Sequence, residues 1–282
     1  MAILTVNGLQ ISVDQNQKLL PFLRDTLRLT SVKNGCSEGA CGTCMVLIDG
    51  KAVKACVQQT DKLDGKSIVT VEGLTSRERD VYAYAFAVSG AVQCGFCTPG
   101  MVISAKGLLD QNPDPTRADV KEAIKNNICR CTGYKKIEDA VLLSAKLFRE
   151  STEVPATELP GTVGDSIRRI EVVDKTLGSA MYADDIYLPG MLLASAVRSA
   201  YPRAKVLSID TAAAKAIEGV VAVFTAEDVP GAKKIGHLVQ DYDVLIPVGG
   251  ITHFLGDAIA LVVAEHAAAL EAGKAAVIVE YE

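Results

Sequence analysis

The chain has 282 residues, 49% of them hydrophobic, with 29 Lys and Arg against 34 Asp and Glu and a net charge of -5. At about 150 residues per domain this is roughly two domains or three small ones, with enough apolar residues to bury real cores. Basic residues come in pairs such as Lys135-Lys136 and Lys233-Lys234 rather than in longer runs, which argues against a nucleic-acid partner.

The opening "MAILTVNGLQ" lacks the basic and long apolar regions of a secretory signal, and no apolar stretch reaches the length of a membrane span. A soluble cytoplasmic protein is expected. In a reducing compartment, eight cysteines point to metal or redox chemistry rather than structural disulfides.

In chain order, "ILTVNG" and "LQISVD" alternate apolar and polar residues around Asn7-Gly8, which predicts a hairpin. "KLLPFLRDTL" carries Leu19, Leu20, Phe22, Leu23 and Leu27 at helical spacing. "CMVLIDGKAVKAC" predicts a second hairpin around Asp49-Gly50, and "SIVTVEGL" a further strand. Residues 1–75 therefore form a small mixed sheet with one helix. From Ser76 the period becomes 3.6, and four helices are predicted within 76–150. Thr98 before Pro99 fits an N-cap, and Thr116 with Asp119 marks another helix start. Residues 151–165 hold two prolines and two glycines without periodicity and read as a linker. From 166 to 282, strands such as "MLLASAVRS", "VVAVFTA", "AIALVVA" and "AAVIVEYE" alternate with Ala-rich helical stretches, an α/β pattern.

The cysteines fall into two quartets. Cys36, Cys41 and Cys44 with Cys56 follow the plant-type ferredoxin spacing, in which four thiolates hold a 2Fe-2S cluster. Gly35, Gly39 and Gly42 let the backbone approach and aim N–H groups at sulfur. Structural zinc would favour two paired knuckles, and disulfides suit the compartment less. "GCSEG" also matches a nucleophile elbow with Ser37, but no strand runs sharply into a helix there. The second quartet is Cys94, Cys97, Cys129 and Cys131. "CGFC" alone would suit a thioredoxin-like dithiol, which needs a βαβ context instead of this helical one. Cys97 before the helix opened by Pro99 would set an anionic cluster at a positive helix end. His237, His253 and His266 are scattered, Asp184-Asp185 reads as a loop of the third domain, and no catalytic residue is expected in the chain.

"GCSEGACGTC", "QCGFCTPG" and "CRCTGY" together resemble the iron-sulfur domains of the xanthine oxidase family of molybdenum hydroxylases, over residues 1–150. More weakly, "YADDIYLPGML", "SIDTAAAKAIEGVVAVFTAEDV" and "GDAIALVVAE" resemble the start of that family's molybdenum part. The implied fold is α+β and multidomain: a β-grasp ferredoxin domain, a four-helix bundle with the second cluster, and an α/β hammerhead-like domain. The implied function is electron transfer from a molybdenum-pterin site through two 2Fe-2S clusters. Cys94, Cys97, Cys129 and Cys131 would hold the cluster nearer the pterin; Cys36, Cys41, Cys44 and Cys56 the outer one. Gln93 and Cys131 resemble residues that contact the pterin, a local helix cap being the lesser alternative for Gln93.

The resemblance further implies that most of the molybdenum-pterin cofactor is bound by a partner chain or a missing remainder, because the family's molybdenum part continues well beyond Glu282. A hetero-oligomer follows, with a FAD subunit or a ferredoxin or flavodoxin as acceptor, acting on a purine-like heterocycle or an aldehyde. A stand-alone ferredoxin-like carrier and a zinc scaffold are the competing readings.

Overall fold

The computed structural model describes residues 2–155, 161–165 and 167–282, and these divide into two compact units, Met1–Asp185 and Ile186–Glu282. The linker expected at 151–165 lies partly outside the described residues.

In the first unit, β1 (Ala2–Val6) and β2 (Leu9–Val13) form the expected hairpin, closed by Asn7 and Gly8, both at positive φ. Helix α1 (Leu19–Pro21) continues as a π-helical turn, Phe22–Thr26, and buries Leu19, Leu20, Phe22 and Leu23. The second hairpin, β3 (Met45–Ile48) and β4 (Lys51–Lys54), turns at Asp49-Gly50, again with both residues at positive φ as a tight two-residue turn demands. With β5 (Ser67–Val69) the strands make a mixed five-stranded sheet in the order β2-β1-β5-β3-β4, in which only β1 and β5 run parallel.

Four helices follow: α2 (Ser76–Val88), α3 (Thr98–Leu109), α4 (Arg117–Ile124) and α5 (Lys135–Arg149). Thr75 and Thr116 each close a capping box, with Glu78 and Asp119. The N-cap of α3 is Cys97 rather than Thr98. Its carbonyl already accepts from the Met101 N–H at 3.1 Å, so helical bonding starts one residue earlier than the threonine suggests.

Strand β3 is what fuses sheet and bundle. All four of its residues are buried, and their side chains alternate between two cores. Val46 and Ile48 join Leu4, Leu19, Leu23 and Ile68 beneath the sheet, whereas Met45 and Leu47 join Phe86, Met101, Ile137 and Val141 among the helices. Gly100 on α3 lies against the chain just before this strand: a Cβ there would stand 2.7 Å from the Gly42 carbonyl oxygen and 3.0 Å from that of Thr43.

A short helix, α6 (Val172–Leu177), lies within the range 166–282 expected of the third domain and packs in the first unit. Val172 is buried in the bundle core, with Val173 and Leu177 packed against it, because these apolar residues face α2 and α3.

In the second unit, β6 (Leu193–Arg198), β11 (Ala258–Ala264) and β8 (Val220–Phe224) form an antiparallel sheet with β11 at its centre, which explains why "AIALVVA" is so apolar. Between these strands in sequence lie β7 (Val206–Asp210), α7 (Ala212–Lys215) and the short strands β9 (Lys234–Ile235) and β10 (Tyr242–Asp243). Helix α8 (Ala267–Ala276) packs Ala269 and Leu270 on Val262 and Ala264, and β12 (Ile278–Tyr281) pairs with β7. The α/β expectation for this region describes it well.

Substituting Gly100→Ala forces two backbone oxygens away from α3, which should cost about 1–3 kcal/mol. A lower denaturation midpoint in urea checks this; an unchanged midpoint would show that the helix is free to withdraw.

Candidate metal centres

The first quartet is built by one loop and one strand end. Residues 34–43 wrap around Cys36, the N–H of Cys41 donates to Cys36 Sγ at 3.4 Å, and Cys41 Sγ lies 3.3 Å from Thr43 Oγ1. Cys44 precedes β3 and Cys56 follows β4, in the 3₁₀ turn Ala55–Val57, so the hairpin register brings them together; the Ala55 N–H donates to the Cys44 carbonyl at 3.0 Å. Both are buried, while Cys36 and Cys41 are partly exposed.

The N–H of Cys41 first, then that of Glu38, hold the Cys36 thiol down at about 6 against a smaller effect of burial, with the Ala40 N–H adding to the lowering. At Cys44 burial dominates and pushes the thiol up to about 12, against a backbone hydrogen bond from Cys56. A loop that aims several N–H groups at one sulfur while burying another needs a bound cation to make the whole set anionic.

The second quartet lies in two loops that join four helices in pairs. Cys94 and Cys97 stand in the turn between α2 and α3, and Cys129 and Cys131 between α4 and α5. Cys131 Sγ and Cys94 Sγ are 3.6 Å apart and both residues are exposed. Cys97 is buried, and burial followed by the neighbouring Cys129 raises its thiol well above the ordinary range. Burial opposes ionisation of Cys129 too, but the Thr132 hydroxyl at 3.1 Å and the N–H groups of Cys131 and Thr132 prevail and lower it. At Cys131 the largest single effect, a backbone hydrogen bond with Cys94, lowers the thiol, but the side-chain bond to Cys94, burial and the charges of Cys94 and Cys129 together outweigh it and the net shift is upward.

Both quartets thus bring their sulfurs together in pairs: Cys36 with Cys41 and Cys44 with Cys56 in one, Cys94 with Cys131 and Cys97 with Cys129 in the other. Two thiolates per iron is what a 2Fe-2S core asks of four cysteines. Among the described residues no three His, Cys, Asp or Glu side chains close around a single ion.

The two sites share a splice. The Ile128 N–H, next to Cys129, donates to the Cys41 carbonyl at 2.8 Å. Asn127 is almost wholly buried; its Nδ2 donates to the Gly42 carbonyl at 3.0 Å, and its Oδ1 accepts from Ser104 Oγ at 2.8 Å. Gly42 has φ +70°, and a Cβ there would lie 2.0 Å from the Asn126 carbonyl oxygen, so no other residue lets the strands of loop touch. Tyr134 completes the arrangement: its hydroxyl accepts from the Cys129 N–H at 2.9 Å and donates to the Asn127 carbonyl at 3.3 Å.

Gln93 is exposed in the turn before Cys94, beside the exposed Cys94–Cys131 pair. Asp185 departs from the loop role expected of it, because it is buried against Arg24 and Lys33 of the first unit. His266 caps α8, its Nδ1 accepting from the Ala269 N–H at 3.2 Å. Asn127, Thr43, Thr132 and Tyr134 went unnoticed in the sequence, although three of them lie inside "CGTC" and "CRCTGY".

Three family models match in succession: a 2Fe-2S iron-sulfur cluster binding domain at residues 4–70, a [2Fe-2S] binding domain at 70–142, and the aldehyde oxidase and xanthine dehydrogenase a/b hammerhead domain at 177–282. The nicotinate dehydrogenase small FeS subunit of Eubacterium barkeri is 46% identical over 49% of this chain and 90% of its own length. The aldehyde oxidoreductase of Megalodesulfovibrio gigas is 37% identical over 99% of this chain but only 33% of its own. A solved structure of the aldehyde oxidoreductase from Desulfovibrio gigas superposes with a TM-score of 0.88 at 35% identity, covering 100% of this chain and 33% of that one. The chain belongs to the xanthine oxidase family of molybdenum hydroxylases, with two 2Fe-2S binding domains followed by a hammerhead domain. It spans about a third of the length of the aldehyde oxidoreductase that it matches from end to end.

Replacing Asn127 by Ala leaves the Gly42 carbonyl and the Ser104 hydroxyl without their buried partner. The expected loss is about 1–3 kcal/mol of stability, read from urea denaturation. Exposed Asn126, replaced in the same way, should leave the midpoint unchanged.

Proposed function

We propose that this chain is the iron-sulfur electron-transfer portion of a molybdenum hydroxylase. The observation that carries the reading is the splice: a 2.8 Å backbone hydrogen bond, from the Ile128 N–H to the Cys41 carbonyl, joins the loops that bear the two quartets, beside the Asn127 side-chain bond to Gly42. When bound, 2Fe-2S clusters accept and release single electrons, at potentials set by hydrogen bonds to sulfur and by exposure.

The chain's own residues do the rest. Cys36, Cys41, Cys44 and Cys56 would hold one cluster, and Cys94, Cys97, Cys129 and Cys131 the other. The peptide segment from Cys41 through Ile128 to Cys129 gives a short, largely bonded route between them. Buried Asn127 and Gly42 lie against it. Cys131 and Cys94, exposed beside Gln93, would face a molybdenum-pterin cofactor; Gln93 and Cys131 are assigned as its contacts. The Cys36 loop, exposed elsewhere on the first unit, would face the next acceptor, a FAD subunit or a ferredoxin or flavodoxin. No catalytic residue is assigned in this chain.

Its domains are taken as 1–75, 76–150 and 166–282, joined by 151–165, with the opening of the third, as far as Asp185, packing in the first compact unit. The remaining molybdenum domains would come from a partner chain or from further sequence, in a cytoplasmic hetero-oligomer. Of the two substrate classes, the relative aligned to 99% of this chain favours an aldehyde over a purine-like heterocycle. None of the helices among the described residues is long and apolar enough to cross a membrane.

The reconstituted chain should hold about four iron atoms, two per quartet. Cys41→Ser and Cys97→Ser should each reduce this to about two, removing different paramagnetic signals; iron near two in the parent, or bound zinc, would refute the assignment.

In the assembled enzyme, stopped-flow reduction by substrate should distinguish the same two variants. Cys41→Ser should still accept electrons from substrate in a single turnover but fail to pass them on. Cys97→Ser should disturb the pterin end as well. Identical traces would contradict the assigned order.

A further inference from the structure

Tyr182 lies outside the two cysteine segments yet touches one of them. Its hydroxyl donates to the Cys94 carbonyl at 2.8 Å, and its ring meets Phe96 edge-on, at 5.3 Å between centroids and 90° between planes. Lys33 Nζ sits 4.8 Å from the centre of the same ring, and the Lys33 side chain is 0% exposed. Asp185 holds this array together. One carboxylate oxygen takes Lys33 Nζ at 2.8 Å, the other takes Arg24 NH2 at 2.8 Å, and the carboxylate also accepts from the Tyr182 N–H at 3.1 Å. The Lys33 carbonyl accepts from Thr43 Oγ1, whose oxygen also lies against Cys41 Sγ. The turn Ala183–Asp185 is thereby fastened to the ferredoxin-like part while Tyr182 reaches the Cys94–Cys97 loop.

A buried cation is costly unless paired, and Asp185 supplies the pairing while leaving the ammonium over the tyrosine ring. The O–H dipole points its positive end at the Cys94 peptide. A reduced cluster carries one more negative charge than an oxidised one, so a donor and a cation on that side favour reduction. Groups one layer behind the ligands commonly tune a metal in this way.

We infer that Tyr182, seated by Asp185 and Lys33, is a positioning residue for the Cys94 loop that raises the reduction potential of the cluster held by Cys94, Cys97, Cys129 and Cys131 and leaves the other cluster's potential unchanged. The inference rests on the ligand assignment proposed above.

The test is a redox titration of the cluster-loaded chain followed by paramagnetic resonance, comparing Tyr182→Phe with the parent. Phenylalanine keeps the ring and the Phe96 contact and deletes only the donor. Only the signal that Cys97→Ser abolishes should move, to lower potential. The shift should equal about a three- to tenfold fall in the reduced-to-oxidised ratio at fixed poise, the worth of one hydrogen bond. Tyr84→Phe, in α2, should move neither signal. Loss of that one signal in Tyr182→Phe, with the other retained, also supports the assignment. No shift, an equal shift of both signals, or a shift only of the other would overturn it. A parent lacking the Cys97-dependent signal would instead refute the ligand assignment.

Discussion

The hydrogen bond from the Ile128 N–H to the Cys41 carbonyl is the constraint around which the first unit is arranged. It requires two loops, about ninety residues apart in sequence, to lie in backbone contact. Loops bristle with unpaired polar groups, so contact at this depth is stable only if each group finds a partner. Asn127 supplies two of those pairings, Tyr134 two more, and Gly42 removes the side chain that would hold the loops apart. Strand β3 fixes the distance from the other side, by sending alternate residues into the sheet core and the helical core. Gly100 lets α3 settle onto the same backbone. The two cysteine domains therefore act as one body.

Within that body the thiols differ in a way that suits a conductor with two ends. Buried Cys44 and Cys97 resist ionisation, whereas backbone donors favour it at Cys36, and the Thr132 hydroxyl, with backbone donors, favours it at Cys129. Bound iron would level these differences by deprotonating every ligand, leaving the surrounding donors to grade the potentials. Exposure is graded as well: the Cys94–Cys131 pair opens to the surface beside Gln93, while Cys97 faces the bundle core. The Tyr182–Asp185 turn adds a donor at Cys94 of one quartet and is itself held by a buried ion pair with Arg24 and Lys33, an asymmetry that two independent ferredoxin modules would lack.

Much of this was legible from local pattern. Asn7-Gly8 and Asp49-Gly50 announce two-residue turns because few other residues adopt positive φ twice in succession. Thr116 and Asp119 announce a helix start because their reciprocal bonds are local. The cysteine quartets are legible because iron chemistry limits which spacings a short loop supports. What stayed hidden depends on distant partners. Cys97 displaces Thr98 as N-cap because the Thr98 N–H turns back to the Gly95 carbonyl while the Cys97 carbonyl takes the Met101 N–H. Helix α6 reads as the start of a new domain, yet Val172 finds its burial against α2 and α3. Asp185 resembles a loop residue until Arg24 and Lys33, more than 150 positions away, are placed beside it. Asn127 carries no signal of its own, since an asparagine after a short helix is ordinary; only the Gly42 carbonyl opposite makes it indispensable.

The central claim is that the two quartets form one continuous electron path through the Cys41–Ile128 contact. Low-temperature paramagnetic resonance of the fully reduced chain tests it most directly. Loops in direct backbone contact hold the two centres close enough for their unpaired spins to interact, so both signals should split, and the splitting should collapse when either centre alone is reduced. Two unsplit signals that merely add, at every level of reduction, would contradict it.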